Sequence, residues 1–135
     1  MARIDDISIN TILGSGSFFS GSIKINGFVR IDGDIDGNLE TAGNVIIGEN
    51  ARIKGNIIAK SVTVGGIVLG DIQALEGVKL LSTAFVHGDI ISHKVQIDNT
   101  AFYHGHLISI KNNENFERAS QEYLQAKAIK EKVTI

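Results

Sequence analysis

The stretch Val45–Ile57 reads VIIGENARIKGNI, and its apolar residues occupy every second position on either side of a short polar connection. Val45 and Ile47 come before this connection, and Ile53 and Ile57 come after it. Alternation with a period of two is typical of β-strands that bury one face, and β-branched residues favour this conformation. The stretch therefore predicts two short strands that are joined by a turn and share an apolar side.

The same pattern recurs along the chain at a nearly constant period. A glycine, then a small or polar residue, then Ile or Leu recurs at this spacing, beginning at Gly21, Gly37, Gly55, Gly70, Gly88 and Gly105. A second repeated element precedes each of these, beginning at Thr11, Val29, Val45, Val62, Val78 and Val95, so that successive copies are about 17 residues apart. Six copies at one period predict an all-β solenoid of six coils, in which apolar ladders fill the interior.

The alternation also predicts which side chains lie inside. We expect the core to include Ile53, Ile57, Val62, Ile72, Val86 and Ile90. Lysine in place of Ile57 would then bury an unpaired charge and cost several kcal/mol. Lysine in place of the neighbouring Asn56, which points outward by the same alternation, is expected to be nearly silent.

Coil length distinguishes two kinds of solenoid. A left-handed helix of hexapeptide repeats needs coils of about 18 residues. Residues 47–56 fit such a repeat locally. The coils that start at Val29 and Val62, however, are two residues shorter between their first two strands, which breaks the hexapeptide register. The pattern therefore favours a right-handed β-helix.

As a whole, the six coils, the Gly-Asp-Ile corners at Gly70 and Gly88, and the phrase VRIDGDIDG at Val29–Gly37 resemble the bactofilin family over about residues 11–110. The resemblance implies a right-handed, triangular β-helix that polymerises without a nucleotide into non-polar filaments. It also implies a bacterial cytoskeletal scaffold that supports cell shape and recruits envelope-building or envelope-cutting proteins.

The chain is predicted to be a single domain with two short extensions. Its 135 residues suffice for one core. Residues 1–10 form an N-terminal extension, residues 11–110 the β-helix polymerisation domain, and residues 111–135 a tail that is α-helical or partly disordered. The tail carries an apolar stripe at helical spacing, made of Phe116, Ala119, Tyr123 and Ala126. We expect the tail to be dispensable for the core fold. Phe85 and Phe102 point outward in adjacent coils, where they either lie under the tail, which is the preferred interpretation, or form an assembly surface.

The composition argues for a cytoplasmic protein without nucleic-acid partners. The net charge is -2, there is no cysteine, and no apolar stretch approaches the roughly 18 residues of a membrane span. A signal peptide is not recognisable at the N-terminus. The resemblance implies membrane contact by a short N-terminal segment, which would place the protein at the inner face of the cell membrane. Met1, Ile4 and Ile7 are apolar there, but Asp5 and Asp6 oppose anionic lipid, so the sequence leaves this contact open.

No catalytic group, metal or cofactor is expected. The alternative is a trimeric solenoid enzyme of the hexapeptide type, either an acyltransferase or a zinc enzyme similar to carbonic anhydrase. Such a zinc site needs several histidines. His87 and His104 occupy the same place in successive coils and His106 lies two residues on, so alternation puts all three on one outer face beside Asp89. A solvated surface patch is the preferred interpretation, because groups that would orient zinc ligands are not evident.

The two ends of the solenoid are the predicted functional surfaces. Terminal coils expose strand edges and an apolar cross-section, so they must be capped or must assemble with another copy. The run Gly14–Ser17 lacks the Gly-Lys-Ser/Thr ending of a phosphate loop, so nucleotide is not expected to drive assembly. The predicted homopolymer interface consists of Leu13, Phe19 and Ile23 in the first coil and Ala101, Tyr103 and Leu107 in the last. The bactofilin resemblance implies that Tyr103 is the aromatic residue of the C-terminal junction.

Overall fold

The computed structural model describes residues 9–110 and, beyond them, only Gln125. Residues 9–110 form sixteen strands and no helix. These strands are β1 (Ile9–Leu13), β2 (Phe18–Ser20), β3 (Ile23–Ile25), β4 (Phe28–Ile31), β5 (Asp34–Asp36), β6 (Leu39–Thr41), β7 (Asn44–Ile47), β8 (Arg52–Lys54), β9 (Ile57–Val64), β10 (Ile67–Leu69), β11 (Ile72–Leu80), β12 (Phe85–His87), β13 (Ile90–Ser92), β14 (Val95–Ile97), β15 (Phe102–His104) and β16 (Leu107–Ser109). Apart from Gln125, the expected helical tail lies outside the described residues.

The strands wind into six coils, each with three sides, and every strand pairs in parallel with its equivalent in the next coil. The second side is a six-stranded sheet in the order β15-β12-β10-β8-β5-β2. The first and third sides belong to one ten-stranded sheet, because the long strands β9 and β11 continue from the third side of one coil into the first side of the next. This arrangement confirms the β-solenoid of six coils of about 17 residues.

Two of the six coils are shorter, at the place that the sequence indicates. Only two residues connect β4 to β5 and β9 to β10, whereas four residues connect the equivalent strands of the other coils. The short connections belong to the coils that start at Val29 and Val62, as predicted. The strands still pair in register across this difference, with Ile35 opposite Ile53 and Ile53 opposite Val68. The connections therefore absorb the variation in coil length.

Inward side chains one coil apart form continuous apolar ladders. On the second side Ile35, Ile53, Val68 and Val86 follow one another in register and are each at most 2% exposed. The core prediction is confirmed, since Ile53, Ile57, Val62, Ile72, Val86 and Ile90 are each at most 1% exposed. Stacked Val and Ile side chains thus supply the apolar burial that stabilises the fold.

A column of glycines turns the chain between the second and third sides. The five glycines Gly37, Gly55, Gly70, Gly88 and Gly105 have φ angles between +149° and +155°, which L side chains rarely adopt. A Cβ atom at any of them would also overlap the backbone carbonyl of the corner glycine one coil below. Coils can therefore approach to strand spacing at this corner only if each position is glycine.

This corner predicts a graded effect of alanine. At Gly55 a Cβ would meet the carbonyl of Gly37, whereas at Gly21, in the first coil, it would meet only Phe19 Cε1 at 3.7 Å. Both glycines have positive φ, at +152° and +123°, so both variants carry backbone strain of about 1–3 kcal/mol. We expect Gly55→Ala to lose about 1–3 kcal/mol more than Gly21→Ala, because it adds overlap. Urea unfolding at equal protein concentrations measures this difference, and equal midpoints would contradict the corner geometry.

In the second to fifth coils, the residue after the corner glycine links successive coils through its side chain. Asn38 Oδ1 accepts the backbone N–H of Asn56 at 2.9 Å, and Asn56 Oδ1 accepts that of Asp71 at 3.0 Å. Asp71 and Asp89 act in the same way on the N–H groups of Asp89 and His106, each at 2.9 Å. The expectation that lysine at Asn56 is silent is therefore wrong. Replacing Asn56 removes the side-chain acceptor for the Asp71 N–H, which should lower the free energy of unfolding by about 1 kcal/mol.

Candidate assembly interface

The ladders remain partly exposed where they end, and these ends form two apolar faces. On the second side Phe19 is 37% exposed, although Ile35 in the next coil is only 2% exposed. On the third side Leu107 is 46% exposed, whereas Ile90, one coil below it, is 0% exposed. Coil stacking alone explains the difference, because a terminal residue has a ladder neighbour on one side only.

All six residues of the predicted interface lie on these two faces. The first-coil face contains Leu13, Phe19 and Ile23, and the last-coil face contains Ala101, Tyr103 and Leu107. Leu13, Ile23, Ala101 and Tyr103 are partly buried and pack against the core from its two ends. The two faces are thus separated by the whole length of the solenoid, and each could meet a different copy.

Sequence reasoning missed part of the last-coil face. Ile97 continues the ladder of Val64 and Leu80 on the first side and is 40% exposed, although both of those residues are at most 1% exposed. Val95, in the same strand, packs on the core and is only partly buried. Val95 and Ile97 belong to the last copy of the repeated element that predicted the coils. That copy could have identified both residues as part of the last-coil face.

Backbone groups at the two ends are also open to pairing. Among the described strands, β1, β2 and β3 each pair on one edge only, with β4, β5 and β6. At the other end β14, β15 and β16 pair only with β11, β12 and β13. Exposed parallel-strand edges next to an apolar surface are a ready template for another chain. Each end therefore offers both apolar area and hydrogen-bonding groups.

Tyr103 occupies the middle of the last-coil strand on the second side. It stacks in register above Val86, which is 0% exposed, and its ring packs partly on the core. Its hydroxyl donates a hydrogen bond to the backbone carbonyl of His106, across the Gly105 corner. This hydrogen bond ties the ring to the corner of the last coil. Any copy that stacks on this end would cover it.

The outer surface of the second side carries a charged pair in the second and third coils and an aromatic pair in the last two. Near the first coils Asp34 accepts hydrogen bonds from Arg52, with 2.7 Å between Oδ2 and Nη2, and this hydrogen bond and the attraction of the carboxylate raise the pKa of Arg52. Near the last coils Phe85 and Phe102 stack with ring centroids 4.6 Å apart. Opposite charges and stacked rings are both favourable pairs at the short distance between neighbouring coils.

Phe85 and Phe102 form an outward-facing surface on the second side of the last two coils. They are 39% and 50% exposed. The expectation that the tail covers them concerns residues outside the part of the chain that the structure describes, so it stays a prediction.

The histidines do not share one face. His87 and His104 stack on the second side with centroids 4.8 Å apart. Gly105 turns the chain before His106, so this third histidine lies beyond the corner, where Nδ1 is 3.3 Å from Asp89 Oδ1. Asp89 itself is 5% exposed rather than solvated. In the described part of the chain, no three His, Cys, Asp or Glu side chains are close enough to hold a metal ion.

The fold and its open ends define a structural β-solenoid. The sequence matches the family model "Bactofilin: Polymer-forming cytoskeletal" over residues 11–108. Because this match covers well over half of the chain, the protein belongs to the bactofilin family and is a polymer-forming cytoskeletal protein.

A solved structure agrees with this family membership. The chain is similar to the cytoskeletal bactofilin BacA, whose atomic structure was revealed by solid-state NMR, with 27% sequence identity and a TM-score of 0.66. The similarity covers 75% of this chain and 96% of that one. No match is found among curated proteins. Among the described residues there is no helix that is long and apolar enough to cross a membrane.

Proposed function

We propose that the protein is a cytoskeletal scaffold that forms filaments by stacking its β-helices end to end. The observation that carries this proposal is the exposure of otherwise buried ladders at both ends, next to strand edges that no described residue pairs. Each end exposes roughly a few hundred Å² of apolar surface, worth several kcal/mol at about 25 cal/mol per Å² before the cost of association. Stacking would bury both ends and extend the ladders across the junction.

Assembly proceeds without a nucleotide. The run Gly14–Ser17, the one glycine-rich stretch that resembles a phosphate loop, is a tight turn in which the Ser17 N–H donates to the Gly14 carbonyl at 3.1 Å. It leads into the strand β2 rather than into a helix. A phosphate loop needs a helix N-terminus and a lysine, and the turn has neither. Free energy for polymerisation then comes from apolar burial and from pairing of the strand edges, without nucleotide hydrolysis.

Like ends pair with like ends, so the filaments have no polarity. The corner ladder supports this arrangement, because Asn38, Asn56, Asp71 and Asp89 each offer an oxygen to the coil above, but the last coil has His106 in that place. In head-to-tail stacking, Ser22 of the next copy would meet an imidazole directed at Asp89 instead of an oxygen acceptor. Pairing of identical ends about a two-fold axis avoids this contact.

The filament works in the cytoplasm, at the inner face of the cell membrane, where it supports cell shape and recruits envelope-associated proteins. The membership of a polymer-forming cytoskeletal family supports this role. A filament suits recruitment because it repeats the same outer surface at regular intervals, which raises the local concentration of a bound partner.

Electron microscopy of the purified full chain in nucleotide-free buffer tests the proposal. We expect filaments, and in sedimentation a broad mass distribution that grows with protein concentration. A single species with the mass of a closed trimer would contradict the scaffold and favour the solenoid enzyme. A strict requirement for ATP or GTP would contradict assembly driven by apolar burial.

A further inference from the structure

One outward-facing residue is buried where the alternation predicts exposure. In β13, Ile90 and Ser92 point into the core and are each 0% exposed. Ile91, between them, points outward on the third side, yet it is only 1% exposed and does not belong to the core cluster. Its strand is thus buried on both faces.

Neighbouring coils do not explain this burial. Ile91 lies between Gln73 and Ile108 in the outer ladder of the third side. Ile58, lower in the same ladder, also has a neighbour above and below, Gln73 and Glu40, and is 42% exposed. Side chains stand roughly perpendicular to a sheet, so ladder neighbours shield their sides and leave their tips open. Something outside the solenoid wall therefore covers the tip of Ile91.

We propose that this cover is the C-terminal segment 111–135 of the same chain. The segment starts beside Ile91, since the N–H of Ile110 donates to the carbonyl of Ser92 at 2.9 Å. Asn112 and Asn113 then provide residues that favour a turn. The apolar stripe of Phe116, Ala119, Tyr123 and Ala126 follows at helical spacing and supplies the surface that Ile91 lacks.

The N-terminal residues are a less suitable occupant. The first coil is four coils below Ile91, or roughly 19 Å at strand spacing, and β1 lies on the first side rather than the third. Residues 1–8 also carry Asp5 and Asp6, whose charges oppose burial against an isoleucine. The segment 111–135 begins one coil away and needs only to reverse direction.

The inference goes beyond the filament and does not depend on it. A segment on the outer wall over Ile91 leaves the end faces and the stacked Phe85 and Phe102 uncovered, in keeping with their exposure of 39% and 50%. It also assigns the stripe that carries Phe116 and Tyr123 to an intramolecular contact. The segment is then part of the folded subunit, held on the third side near the last coil.

Thiol labelling can test the contact, because the chain has no cysteine of its own. We expect a maleimide to label Ile91→Cys at least about ten-fold more slowly than Ile58→Cys in the full chain. Adding Phe116→Asp and Tyr123→Asp should raise the Ile91→Cys rate to that of Ile58→Cys. Gln121→Asp with Gln125→Asp adds the same charge on the opposite side of the predicted helix and should leave the protection intact.

Other occupants give different results, and each would overturn the proposal. Protection that is lost with Ile4→Asp and Ile7→Asp identifies the N-terminal residues, and protection that rises with protein concentration identifies a second copy. Equal labelling of Ile91→Cys and Ile58→Cys rejects any cover. If cysteine at Ile91 disturbs folding, Phe116→Cys gives the reciprocal measurement, whose protection should be lost with Ile91→Asp and kept with Ile58→Asp.

Discussion

Ile57→Lys is expected to prevent folding, whereas Ile58→Lys leaves the protein folded and as stable as the wild type. The two isoleucines are adjacent in β9, but Ile57 is 0% exposed and Ile58 is 42% exposed. Ile57 lies between Leu39 and Ile72 in an inward ladder without polar partners, so a lysine there is unpaired in an apolar interior. The cost exceeds about 4 kcal/mol, a large part of the stability of a small domain.

The outer ladder makes Ile58→Lys a matched control. Its neighbour in the coil below is Glu40, so the new ammonium group gains an opposite charge and keeps its water. Circular dichroism and urea unfolding distinguish the two variants, because the first should lose its β spectrum and the second should keep both spectrum and midpoint. Similar losses in both would show that the register is wrong.

Tyr103→Arg is expected to stop filament growth at dimers while leaving the subunit folded. The ring lies on the last-coil face and is only partly buried, so an arginine can turn its charge into water in an isolated subunit. Stacking of another copy would bury that charge without a partner, at a cost of several kcal/mol. With like ends pairing, the first-coil face stays intact, and two copies can still join there.

Three further variants make this test decisive. Phe19→Arg places the same charge on the first-coil face, where Phe19 is 37% exposed, and should also give dimers. The double variant should be a monomer. Tyr103→Phe keeps the ring and loses the hydrogen bond to His106, so it should still form filaments. Sedimentation velocity measures these masses.

Different masses would contradict the mechanism in different ways. Head-to-tail stacking uses both faces at every junction, so each single variant would then be a monomer. Long filaments from the folded double variant would show that assembly does not use the end faces at all. Circular dichroism of each variant confirms that the subunit has kept its β structure.

The period of the sequence determined the coils, the core and the position of the ends. Alternation at Val45–Ile57 and its repetition are local features, and a parallel ladder converts them directly into inward and outward faces. The residues at the ends followed because the first and last copies of a repeat have one neighbour fewer. Ile97 could have been found by the same reasoning.

Only the tertiary structure decided which groups meet across coils and at corners. Asn56 looks like a solvated residue in the sequence, but the coil above brings the Asp71 N–H to its side chain. His106 lies two residues after His104, so alternation would place both on one face. Alternation holds only within a strand, however, and the Gly105 corner separates the two histidines. The burial of Ile91 was equally hidden, because alternation assigns its side chain to the outer face of the third side and says nothing of what packs there.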